Sequence, residues 1–114
     1  MEANVTEPVY VLRDAEQQAA AAPLTFFIPP LETRLTFEPE DSVQLIFEID
    51  AERPDGVTNE RMWVEILDVP TPGVYVGSLD THPIFIRGVR YGDTIHFEAR
   101  HIIKFINEDG QPDI

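Results

Sequence analysis

The sequence predicts an α+β fold in which one N-terminal helix packs on a curved, mainly antiparallel sheet, closing at most into a small, partly open barrel. Three observations predict it. One helix-forming run lies near the N-terminus, at residues 13–22. A stretch of two-residue apolar alternation follows at 43–49, the mark of a half-buried strand. Residues 60–103 then read as a compact β-meander, strand signals separated by turns rich in Pro, Gly and Asp. The 114 residues suggest one domain, 1–114, with a sheet core at 24–106 and a flexible tail at 107–114.

Taken in order, Pro8 to Leu12 reads as an edge strand, since a proline can start one without losing a needed donor. The run from Arg13 to Ala22 consists mainly of Ala, Gln and Glu, all good helix formers; Asp14 suits its start and Pro23 its end. Only alanines can form its buried face, so it must pack closely on the sheet or stay marginal. Leu24 to Leu31 reads as a short strand that runs into a double proline. In the next strand Val43, Leu45, Phe47 and Ile49 alternate with Gln44, Ile46 and Glu48. Pro54-Asp55-Gly56 is a turn within a polar loop.

The meander opens with the strand Arg61–Val69, and Pro70-Thr71-Pro72-Gly73 turns it back into Val74–Leu79. A hairpin symmetric about that turn sets Val69 against Val74, Leu67 against Val76, Ile66 against Gly77 and Val64 against Leu79. It also puts Glu65 and Asp68 on opposite faces. Both faces are substantially apolar, which predicts a central hairpin. Gly77 opposite Ile66 predicts a bend or a close backbone approach. Short strands are expected at Ile84–Arg87 and Thr94–Glu98, and residues 99–106 read as one more strand or a single helical turn. Glu40-Asp41-Ser42-Val43 echoes Gly92-Asp93-Thr94-Ile95: in each, the Asp carboxylate is placed to accept backbone N–H groups and start a strand.

Charge is the strongest compositional feature. There are 21 acidic against 8 basic side chains, a formal net charge of −13, and Lys104 is the only lysine. Such a field repels phosphates and anionic membrane surfaces, so direct nucleic-acid or membrane binding is not expected, and a basic protein partner is. Between residues 38 and 60 only Arg53 offsets Glu38, Glu40, Asp41, Glu48, Asp50, Glu52, Asp55 and Glu60. This is either a solubilising surface or the place where a cationic partner docks. The absence of cysteine excludes a disulfide framework, a thiol nucleophile and thiolate metal sites. The acidic N-terminus does not read as a signal peptide, and no apolar run is long enough to cross a bilayer. The expected location is the cytoplasm.

No chemistry-bearing motif stands out. His96, Glu98 and His101 lie close in sequence but straddle a strand end, without the spacing that would aim them at one metal ion. Serine occurs only at 42 and 78, outside any nucleophile elbow, and no Gly-rich phosphate loop is present. The expectation is a non-enzymatic protein that uses no cofactor and no metal. Its candidate binding residues are Glu60, Arg61 and Trp63, where an Arg between a Glu and a Trp can pair or stack, together with Glu38, Glu40 and Asp41. Electrostatic steering by the carboxylates and anchoring by Arg and Trp would serve an inhibitor or immunity-type factor. The alternatives are a polyanion mimic that occupies a nucleic-acid-binding protein, and a small ligand-binding or hydrolytic domain.

The strings ERMWVEI at 60–66, Gly77-Ser78-Leu79 with Pro83, and YGDTIHF at 91–97, preceded by DSVQLIF at 41–47, together resemble the YegJ-like family of small bacterial proteins. The likeness covers roughly residues 34–104. It implies a small α+β fold and a bacterial, cytoplasmic origin, and it carries over no catalytic residue, since the family's function is unknown. The chain departs from the family pattern at Thr81, where Asn is usual, and at Lys104-Phe105, where Asp-Trp is.

Overall fold

The computed structural model describes residues 10–49, 56 and 58–114. Pro8, Val9 and most of the polar 50–59 loop lie outside them. The elements are β1 (Tyr10–Leu12), α1 (Ala15–Ala21), α2 (Leu31–Arg34), β2 (Ser42–Ile49), β3 (Asn59–Thr71), β4 (Val74–Leu79), β5 (Thr94–Glu98), a 3-10 turn (Ala99–His101), β6 (Ile102–Ile106) and β7 (Pro112–Asp113). The sheet runs β5-β4-β3-β2-β6-β7, with β1 also on β2, and every pairing is antiparallel. β2 shares one edge between two neighbours, β6 along Val43–Leu45 and β1 along Phe47–Ile49. The sheet is open, ending in β5 and β7 rather than closing into a barrel.

Alternation in β2 and β3 decides the two faces. Val43, Leu45, Phe47, Met62, Val64 and Ile66 are buried on the inner face with Tyr75, Leu79, Ile95, Phe97 and Ile102. Phe37, Ile86 and Val89 come in from loops to complete this core. The outer face of β2 and β6 is covered locally: Ile46 and Ile103 pack against Ala15 of α1 and against Phe26 and Ile28. The side chain of Asp14 caps α1, accepting the Gln17 N–H at 2.9 Å. The wholly buried Ala15 is small enough to let the helix sit down on β2.

Gly77 does allow a close backbone approach. A Cβ there would lie 2.5 Å from Val64 Cγ1 and 2.6 Å from the Glu65 carbonyl oxygen. The symmetric hairpin holds only at its open end. Val64 pairs with Leu79 and Ile66 with Gly77, but Asp68 then pairs with Val76 and Thr71 with Val74. Two bulges in β3 account for the slip, and the turn tightens to Pro72-Gly73, with Gly73 at φ 82°. One extra residue reverses which face the next side chain takes. Leu67 and Asp68 are both exposed, and Val69 turns in to pack on the core. Asp68 therefore shares the outer face with Glu65, correcting the expected arrangement.

Two further expectations are corrected. Residues 24–30 contain no strand, and the short helix α2 follows them. Residues 84–87 form no strand: the amides of Ile84, Phe85 and Ile86 bond to the Glu60 carboxylate instead. The 107–114 tail is a small hairpin: Asn107 Oδ1 accepts from the N–H of Asp109 and of Gln111, and β7 pairs with Phe105 and Ile106. Residues 99–106, read as either a helical turn or a strand, are both in succession.

Candidate functional site

The candidate residues separate into two groups along β3. Glu60 is buried, and its carboxylate accepts three successive backbone N–H groups, Ile84 at 2.7 Å, Phe85 at 3.0 Å and Ile86 at 3.0 Å. A run of converging amides is an anion-binding geometry, and here a side chain of the same chain fills it. Three residues on, the Trp63 N–H donates to Thr81 Oγ1 at 2.8 Å, and the Asp80 N–H donates to the Trp63 carbonyl at 2.9 Å. The Thr81 hydroxyl thus continues the ladder after β4 has ended. Together Glu60 and Thr81 hold the 80–93 loop on β3, and within that loop His82 and Tyr91 stack with ring centroids 4.6 Å apart.

Arg61 and Trp63 point to the outer face, where Arg61 pairs in register with Ile46 and Trp63 with Gln44. Arg61 is exposed and Trp63 half-buried. Arg61 lines an open cavity of about 220 Å³ with Lys104, Phe26, Phe27, Thr25, Ile103 and Ile114. Neither Arg61 nor Lys104 forms an ion pair with a described residue. Gln44 pairs in register with both Lys104 and Trp63, and its buried amide oxygen has no hydrogen-bond partner.

The acidic group belongs to a turn. Asp41 accepts the Glu38 N–H on its carboxylate at 2.8 Å, and its own N–H returns to the Glu38 carbonyl at 3.0 Å. Glu40 N–H to Ile66 O and Ile66 N–H to Asp41 O, both 2.8 Å, fasten the turn to β3. Asp41 is therefore a structural member, whereas the side chains of Glu38 and Glu40 are exposed. From Arg61 to Ile66 is five residues, roughly 17 Å along a strand, so the two groups do not form one pocket.

No family model, curated protein or solved structure matches this chain.

His96, Glu98 and His101 line a shallow cavity of about 140 Å³ with Val74, Tyr75 and Phe97. His101 is buried, and its Nδ1 accepts the Glu98 N–H at 3.0 Å, which engages that nitrogen within the 3-10 turn. Burial holds its pKa below the ordinary histidine value. Among the described residues no group of three or more His, Cys, Asp or Glu could hold a metal ion, and no helix is long and apolar enough to cross a membrane.

Sequence reasoning missed Arg34. It is buried, with Nε donating to the Pro29 carbonyl at 2.7 Å and Nη1 donating to the Ala99 carbonyl at 3.1 Å and to the Glu16 carboxylate. Its own carbonyl accepts the Tyr75 hydroxyl at 2.6 Å. One guanidinium thus ties α1, the 29–34 segment and the 3-10 turn together. Nothing in the local sequence marks an arginine after a double proline as buried. Lys104 was also missed as a companion of Arg61, because only the pairing of β6 with β2 brings them to one face.

Proposed function

We propose that the chain is a non-enzymatic binding module for a basic protein partner, acting as an inhibitor or immunity-type factor in a bacterial cytoplasm. The observation that carries this reading is the presentation of Glu38 and Glu40. Both are exposed on a turn fastened to β3 by two backbone hydrogen bonds, in a chain of net charge −13. Carboxylates held on a rigid element steer a cationic partner and lose little conformational freedom when it docks. The outer face beside the turn adds Glu65 and Asp68 as further acidic groups, with Leu67, 53% exposed, and the half-buried Trp63 as apolar contacts. A span of roughly 17 Å from the turn to Arg61 fits within one partner's share of a standard interface, about 800 Å². Membership of the YegJ-like family is part of the same proposal and rests on residues 60–66 and 91–97; it assigns no activity.

The test is affinity capture from lysate at low and high salt, comparing wild type with a Glu38→Gln/Glu40→Gln double variant. These two positions leave the Asp41 turn bonds intact. The expected result is a basic protein retained at low salt, released at high salt and lost with the variant. Equal capture by the two proteins, or a retained partner of acidic composition, would sink the reading. Competition by DNA would identify the partner as a nucleic-acid-binding protein and the chain as a polyanion mimic.

A further inference from the structure

We infer that the cavity between Arg61 and Lys104 binds a small organic carboxylate carrying one apolar ring. In antiparallel pairs, partnered residues take the same face, so Arg61 with Ile46 and Lys104 with Gln44 bring two cations to the outer face from either side of β2. In a chain with 8 basic side chains against 21 acidic ones, two cations lining one cavity with no described carboxylate paired to either are a local inversion of the surface field. Among the other described arginines, Arg34 pairs with Glu16, Arg100 with Asp14 and Glu98, and Arg13 with Glu48, whereas Arg87 and Arg90 form no ion pair with a described residue and line no cavity with a second cation.

The walls set the rest of the ligand. Phe26, Phe27 and Ile103 line the same cavity. Phe27 is 59% exposed, while its neighbours Phe26 and Ile28 pack on Ile46 and Ile103. Two cations above an apolar wall match a ligand with a charged head and an apolar body, and match poorly an inorganic anion that keeps its water. At about 220 Å³ the cavity is smaller than the roughly 300–1,000 Å³ of pockets for drug-sized molecules, which limits the body to about one ring. Arg61 supplies a planar fork for the carboxylate and Lys104 a point charge. The site is independent of the acidic turn, and its failure would leave the proposed partner binding untouched.

The experiment is an amide-resolved NMR titration of the full chain at low ionic strength with three probes. Benzoate has ring and charge, benzyl alcohol the ring alone, and inorganic phosphate the charge alone. Saturable shifts with benzoate at Arg61, Ile103 and Lys104 are expected, with each of the other probes at least about tenfold weaker, because benzyl alcohol forfeits a charge-assisted hydrogen bond and phosphate the burial of a ring. Arg61→Gln and Lys104→Gln should each weaken benzoate about tenfold while leaving the thermal midpoint in place, since neither side chain supports the core. Absence of benzoate shifts at these three amides, phosphate binding as tightly as benzoate, or unchanged affinity in both variants would overturn the inference.

Discussion

Glu40 and Gly92 occupy one position in two turns built to the same plan. Glu40 has φ 83° and Gly92 φ 90°. Each is followed by an Asp whose carboxylate accepts the N–H three residues back, Glu38 at 2.8 Å and Arg90 at 2.9 Å. Each donates its own N–H to a carbonyl of the neighbouring strand, Ile66 or Leu79, at 2.8 Å. The echo between residues 40–43 and 92–95 is thus a repeated strand-initiating turn. Only one copy has the residue that a positive φ favours.

Glu40→Gly is accordingly expected to stabilise the fold. A side chain in the left-handed region costs roughly 1–2 kcal/mol, and the added freedom of glycine in the unfolded chain returns part of that. The net gain is about 0.5 kcal/mol, read as a higher urea midpoint at unchanged slope. Glu40→Ala, which keeps the strain, should show no such gain. Gly92→Ala should lose about 1 kcal/mol from conformation alone, because a Cβ there meets nothing within 4 Å.

Glu60→Ala removes the acceptor of three amides at once. Leaving Ile84, Phe85 and Ile86 N–H without it should cost about 3 kcal/mol, less whatever water recovers. Hydrogen exchange should accelerate at these amides ahead of those in β3 and β4. Glu60→Gln should fall between, since its carbonyl oxygen serves some donors while its NH₂ confronts the rest. Unchanged exchange at 84–86 in the alanine variant would show that the carboxylate does not hold the loop.

Gly77→Ala should be more damaging than its size suggests. Its new Cβ would meet backbone oxygen as well as a side chain, and strand backbone in the middle of a sheet cannot give way cheaply. A loss of about 2 kcal/mol or more is expected in equilibrium unfolding. A loss no larger than that of an exposed strand substitution would mean that β3 and β4 separate locally at little cost.

Stability should fall as pH drops below about 6.5 because of His101. Burial lowers its folded pKa, so the unfolded chain takes up the proton first and acid favours unfolding. Its contribution is complete above the unfolded value and is lost as pH falls towards the folded one. Asp14 acts in the same direction in a lower window. The Gln17 N–H, and then Arg100, hold its pKa below the usual carboxylate value, so its contribution is lost only as pH falls below about 4. Urea titrations between about pH 7.5 and 5.5 should show the first slope in wild type and its loss in His101→Gln. A slope that persists in the variant would assign it elsewhere.

The sequence alone determined the features that depend on near neighbours. Alternation placed β2 and the open half of the β3–β4 hairpin, because a strand's face is set residue by residue. The Pro-Gly and Asp-containing turns were legible because their chemistry is local, and so was the tight approach at Gly77. The separation of Glu65 and Asp68 was misread, since an unmarked bulge reverses every face beyond it. Glu60 was singled out as a polar side chain at the start of a strand, but its three amide partners lie more than twenty residues downstream. Arg34 could not be recognised as buried, nor Lys104 as a companion of Arg61. A long side chain's partners depend on which strands become neighbours, and β6 joins β2 only after the whole meander has passed. Tertiary pairing alone decided which charges are spent inside the fold, as at Glu60 and Arg34, and which remain available to a ligand, as at Arg61 and Lys104.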